Sequence, residues 1–155
     1  MSFRIKGLST DHFTSLWEAD EATRQAVGIH RVRATSSPGF PDRITLEDAA
    51  VGEELLLLNY TSQTAETPFK ATHAIYVGTG DRAQFDAVDR LPPAMLARPQ
   101  SLRGFDAGGM MLDADLAEGQ DIASLIERLF QTPDITEIHA HNARQGCFMA
   151  RITRA

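Results

Sequence analysis

Apolar and polar positions alternate or recur with a helical period along most of this chain. Phe3 and Ile5 alternate with Arg4 and Lys6, the two-residue period of a half-buried strand running toward Gly7. Ser9 can cap a helix that carries Phe13, Leu16 and Trp17 on one stripe. A second helical piece over Asp20 to Val27 ends at Gly28, and Ile29 to Thr35 predicts a strand. Two prolines and a glycine make residues 36–43 a loop. Thr45 followed by Asp48 resembles a capping box, with Asp in place of Glu, and predicts a short helix stopped by Gly52.

Glu54 to Tyr60 and Phe69 to Val77 predict two further strands, separated by the polar segment 61–68. Pro92-Pro93 initiates a short helix through Ala97, while Leu102 to Asp106 and Met110 to Ala114 form a strand pair joined at Gly108-Gly109. The clearest helix is Asp121 to Gln131, because Ile122, Leu125, Ile126, Leu129 and Phe130 share one face before Pro133 ends it. Ile135 to His141 and Cys147 to Thr153 alternate as a terminal hairpin. A register opposing Ile138 to Ala150, Ala140 to Phe148 and His141 to Cys147 matches apolar with apolar residues and Glu137 with Arg151. The pattern predicts an α+β fold: a single compact domain over residues 1–155 with a largely antiparallel or mixed sheet, a C-terminal β-hairpin and a few packed helices. A partly closed barrel satisfies the same pattern.

Composition narrows the functional classes. The chain of 155 residues has one cysteine, Cys147, which excludes an intramolecular disulfide and fits a reducing compartment. The reading is cytoplasmic: Met1 to Leu8 lacks the shape of a secretory signal, and no apolar run approaches the roughly 18 residues of a membrane span. With 15 Lys plus Arg against 21 Asp plus Glu, the net charge of −6 argues against a nonspecific nucleic-acid surface. Only Lys6 and Lys70 are lysines; the other basic residues are arginines, whose planar forks suit carboxylate and phosphate.

Several strings carry a family likeness: Pro38-Gly39-Phe40-Pro41-Asp42-Arg43, then Leu46-Glu47-Asp48-Ala49 and Gly52-Glu53, and finally His139-Ala140-His141-Asn142-Ala143 with Gly146-Cys147-Phe148. Together with Leu91-Pro92, Leu102-Arg103-Gly104-Phe105-Asp106 and Arg151, they occur in the order of the uncharacterised bacterial family known as domain of unknown function 1203 (DUF1203), which the chain resembles over nearly its whole length. The resemblance implies a small bacterial protein but transfers no activity or cofactor. Relatives usually carry cysteine where this chain has Asp42, which weakens any two-thiol chemistry here.

Two constellations are candidates for chemistry. His139, His141 and Cys147 could hold a metal, with zinc or iron the candidate cofactor and Glu137 or another carboxylate acting on bound water in a hydrolase; ordinary strand packing is the alternative. In the stiff loop, Gly39, Phe40, Asp42 and Arg43 could surround an anionic small molecule, with Arg103 joining Arg43 in the pocket. The alternative for that loop is an internal hydrogen-bond and charge network around Asp42 and Arg43. His73 joins either account only if the fold brings it to the terminal hairpin. A binding or accessory protein for an anionic small molecule therefore leads. Metal-assisted hydrolysis and homo-oligomerisation, as a homodimer through a strand edge or the hairpin, are the alternatives. No H-E-x-x-H, nucleophile elbow or phosphate-loop motif is present.

Overall fold

A computed structural model describes Met1–Ala155. Its order is β1 (Phe3–Lys6), a 3-10 turn (Thr10–His12), α1 (Thr14–Glu18), α2 (Glu21–Ala26), β2 (His30–Arg33), β3 (Glu54–Gln63), β4 (Ala71–Gly78), β5 (Asp86–Val88), α3 (Pro93–Leu96), β6 (Gln100–Phe105), β7 (Met111–Ala117), α4 (Asp121–Phe130), β8 (Glu137–Asn142) and β9 (Phe148–Arg154). The fold is α+β. A six-stranded sheet runs β5-β1-β9-β8-β6-β7 and a three-stranded sheet runs β2-β3-β4. Every pairing is antiparallel.

Strand alternation gives the large sheet two different faces. One carries Ile5, Leu102, Ile138, Ala140 and Ile152, against which the amphipathic α4 packs Ile122, Leu125, Ile126, Leu129 and Phe130 in the main core. The other carries Arg103, His139, His141 and Phe148 and meets the small sheet: the Tyr60 ring lies 5.6 Å from Phe148, the His73 ring lies 4.9 Å from His141, and Arg151 donates to the Ser62 carbonyl. The layer between the sheets is thus aromatic and polar, whereas the layer under α4 is apolar throughout. A second core beneath the small sheet joins Phe13, Ile29, Leu56, Leu58, Ile75 and Val77, with Leu16 and Trp17 against it.

The terminal hairpin forms, in a different register from the sequence pattern. Ile138 opposes Ile152, His139 opposes Arg151 and Ala140 opposes Ala150, after which a bulge brings His141 opposite Phe148. Met149 is the extra residue, and it stays in the aliphatic core beside Ala150. The bulge turns Phe148 to the other face, and it removes Cys147 from its expected place opposite His141.

No helix forms at Thr45 to Gly52. Asp42, 1% exposed, organises this stretch instead. Its carboxylate accepts from the Ile44 and Gly78 amides at 2.9 Å and from the Thr45 hydroxyl at 3.1 Å, and it pairs with Arg82 at 3.3 Å. Leu46 then takes a φ of 53°, which interrupts any helical run, and Asp48 turns away to accept from the Gly39 amide and Arg98. β1 ends where this segment passes. A Cβ on Gly7 would lie 2.1 Å from the Ile44 carbonyl oxygen, so only glycine permits the approach.

Removing the Asp42 carboxylate strips partners from two buried amides and one guanidinium. Asp42→Ala is expected to lower unfolding free energy by about 3 kcal/mol in urea titration; a change within about 0.5 kcal/mol, as for an ordinary surface substitution, would contradict its role as the anchor of the loop.

Candidate functional site

Arg43 follows the Asp42 anchor directly and is directed inward, 1% exposed. Its Nε–H donates to the Phe148 carbonyl at 2.8 Å, Nη1 donates to the Pro41 carbonyl at 2.7 Å and Nη2 donates to Cys147 Sγ at 3.2 Å. A guanidinium has five N–H donors and no means of losing its charge in a protein. None of these three acceptors is a carboxylate, and Asp42 is taken by other partners. Burial pulls the Arg43 pKa below its ordinary value; the sulfur of Cys147 opposes this, Arg98 acts with burial, and Asp42 opposes more weakly. A buried cation held mainly by neutral dipoles is costly unless an anion lies close by.

Arg43 lines a cavity of about 880 Å³ beside β4, the outer strand of the small sheet. The loop supplies Pro38, Gly39 and Pro41; β3 and β4 supply Leu57, His73, Ala74 and Tyr76. The segment after α3 brings Arg98, and the hairpin turn brings Asn142, Arg144, Gln145 and Cys147. Arg98 is held by Asp48 at 2.6 Å and also donates to the Ala94 carbonyl, so its position is fixed. Arg144 is exposed. Three arginines therefore face the space, and no aspartate or glutamate lines it, in a chain whose net charge is −6.

Of the expected ligand-binding residues, Gly39 and Arg43 reach the cavity. Phe40 packs on Tyr76 at 5.0 Å between ring centres, behind the lining. Asp42 is an internal anchor. Arg103 is not brought to Arg43; it lies on β6 opposite His139 and donates to the Ser101 hydroxyl. Arg98, Arg144 and Tyr76 come from segments remote from the loop, and no local motif pointed to them, whereas Asn142 lies in the His139–Ala143 string that carried the family likeness.

His139, His141 and Cys147 each have separate partners. His139 Nε2–H donates to Glu137 at 2.8 Å, its ring lies 4.7 Å from Phe105, and its Nδ1 is buried without a partner. His141 Nδ1–H donates to the Gly146 carbonyl at 2.9 Å. Cys147 Sγ receives Arg43 and, at 3.4 Å, the Asn142 amide. No group of three or more His, Cys, Asp or Glu side chains is disposed to hold a metal ion. His73 does reach the hairpin, stacking edge-on against His141. The Glu137 pKa is lowered from the ordinary carboxylate value, chiefly through the His139 hydrogen bond and then through Arg151, while burial opposes the shift.

Residues 39–154 match the model of a family described as a protein of unknown function, DUF1203. The chain belongs to the DUF1203 family. No curated protein and no solved structure gives a significant match. In this DUF1203 chain the match spans the Pro38–Arg43 loop from Gly39 onward, the Arg98 segment and the terminal hairpin, and so contains nearly the whole cavity lining. No helix of the DUF1203 chain is long and apolar enough to cross a membrane.

The imidazoles between the sheets set a pH dependence. Burial pushes His141 down from 6.5 to about 3; Arg103, His73 and His139 act the same way, and the bond to Gly146 opposes them. Burial and Arg103 also lower His73. Between pH 6.5 and about 3 the unfolded chain binds a proton that folded His141 does not. This contribution to stability is therefore fully present above 6.5 and is lost as the pH falls through that window. Thermal melts of the wild type and His141→Gln across this range are expected to diverge, with the wild type losing stability more steeply on acidification. Parallel profiles would contradict the assignment.

Proposed function

We propose that this protein binds a small anionic molecule in the cavity beside β4, as a binding or accessory protein of the cytoplasm. The carrying observation is the buried, carboxylate-free guanidinium of Arg43 in a space that Arg98 and Arg144 also face. An anion about 4 Å from one guanidinium gains about 1 kcal/mol in bulk water and about 4 kcal/mol at an effective dielectric of 20. Arg43, being beneath the surface, acts in the less screened regime. Arg98 and Arg144 supply direct contacts nearer to solvent, and Asn142 and Gln145 add amide groups. Leu57, Ala74, Tyr76 and the prolines give an apolar wall for the carbon skeleton of an organic anion. With no carboxylate in the lining, an ammonium group finds no counter-charge, so simple anions are favoured over zwitterions.

Isothermal titration with inorganic phosphate and with a short dicarboxylate is expected to give saturable binding at one site, weakened about tenfold by Arg144→Gln. Arg144 is the informative position because it is exposed and supports no buried carbonyl, so its loss leaves the fold intact. Binding should also weaken as salt is added. Absence of saturable binding by any anion in a folded sample, or equal binding by Arg144→Gln, would count against the reading.

A further inference from the structure

One wall of the cavity is the free edge of a sheet. β4 is the outer strand of the small sheet, and the main-chain N–H and C=O groups of an antiparallel strand face its partner at every second residue only. The Tyr76 carbonyl accepts from the Arg43 amide at 3.2 Å and the Gly78 amide donates to Asp42 at 2.9 Å, so the even-numbered residues of β4 face away from β3. Ala74, exposed and in the cavity lining, has the same parity. Its N–H and C=O point out of the sheet with no partner in the chain. Charged side chains are a common protection of a strand edge against further pairing. At the other three edges, β2 carries Arg31 and Arg33, β5 carries Asp86 and β7 carries Asp113 and Asp115, whereas β4 carries no Asp, Glu, Lys or Arg.

We propose that the anion held in this cavity is the carboxylate at the C-terminus of a peptide, which adds as a further strand along the free edge of β4. This rests on the anion-binding reading of the same cavity and names its ligand. Main-chain pairing with Ala74 aligns the peptide, as strand addition to an exposed edge does generally. Two features select a chain end. The Asp42–Arg43 segment already occupies the edge from Tyr76 to Gly78, so a strand added in that direction must stop before it. Arg43 lies at the stop, with a guanidinium that lines the cavity and has no carboxylate among its acceptors. Positive charge there, with no Asp or Glu in the lining, favours the carboxylate end of a peptide over the ammonium end. The added strand therefore runs parallel to β4. Arg144 is exposed in the same lining and can meet the carboxylate directly. The other end of the peptide leaves past the exposed Thr72, so its ammonium group stays outside the arginine-lined space.

The test uses the native full chain and pools of N-acetylated hexapeptides with randomised uncharged residues, made either as free acids or as C-terminal amides. The immobilised protein is expected to retain the free-acid pool about tenfold better than the amide pool. Methylating the backbone nitrogens of the two residues before the last should lower retention of the free acids by about tenfold, because one of these N–H groups faces β4 in either register. Hydrogen exchange at the Ala74 amide should slow by about tenfold or more when the free-acid pool is added at saturation. Equal retention of acids and amides, retention indifferent to methylation, or an Ala74 amide that exchanges as fast with the pool as without it would each overturn the proposal. Phosphate titration of the native chain separates the two levels: saturable phosphate binding without selective retention of free acids removes the strand-addition proposal alone, and absence of both removes the reading beneath it.

Discussion

The guanidinium of Arg43 joins parts of the chain that are far apart in sequence. One side chain links the carbonyl of Pro41 in the proline loop, the carbonyl of Phe148 at the start of β9 and the sulfur of Cys147 in the hairpin turn. The backbone of the same residue donates to Tyr76 on β4 and accepts from Leu8 just after β1. Both sheets and the loop thus meet at one buried cation. Its planar fork matters to this role, because three acceptors in different directions suit a guanidinium better than the single ammonium of lysine.

Such a cation is electrostatically incomplete. Asp42, its neighbour in sequence, holds Ile44, Gly78, Thr45 and Arg82, and so fixes the loop rather than neutralising Arg43. The division of labour between adjacent residues leaves Arg43 without a carboxylate among its hydrogen-bond acceptors. Arg98, tied to Asp48, and the exposed Arg144 line the same cavity. A cavity lined by arginines in a chain of net charge −6 is the arrangement on which the anion-binding proposal rests.

Much of the fold was legible where periodicity was strong. The α4 stripe, the β6 and β7 pair and the two strands of the terminal hairpin follow from residue spacing alone. Alternation specifies faces better than register: the observed pairing differs by two residues from the expected one, which preserves every face, and the bulge at Met149 accounts for the change near the turn. The helix expected at Thr45 failed because Asp42 captured the amide of Ile44 and the hydroxyl of Thr45, while Asp48 was drawn to Gly39 and Arg98. The stiffness of the proline loop drew attention to Gly39 and Arg43, which line the cavity. Arg103 carried the same charge signal but lies three strands along from β1, on the face occupied by His139, and only the tertiary arrangement tells it apart from Arg98 or Arg144.

The most direct measurement is nitrogen-detected NMR of the arginine guanidinium groups while phosphate is titrated at constant ionic strength. An anion in the cavity will move the Arg43 resonance along a saturating curve and leave Arg31, which pairs with Glu54 on the small sheet, in place. An Arg43 signal that does not move, or one that drifts linearly together with Arg31, would contradict the anion-binding cavity.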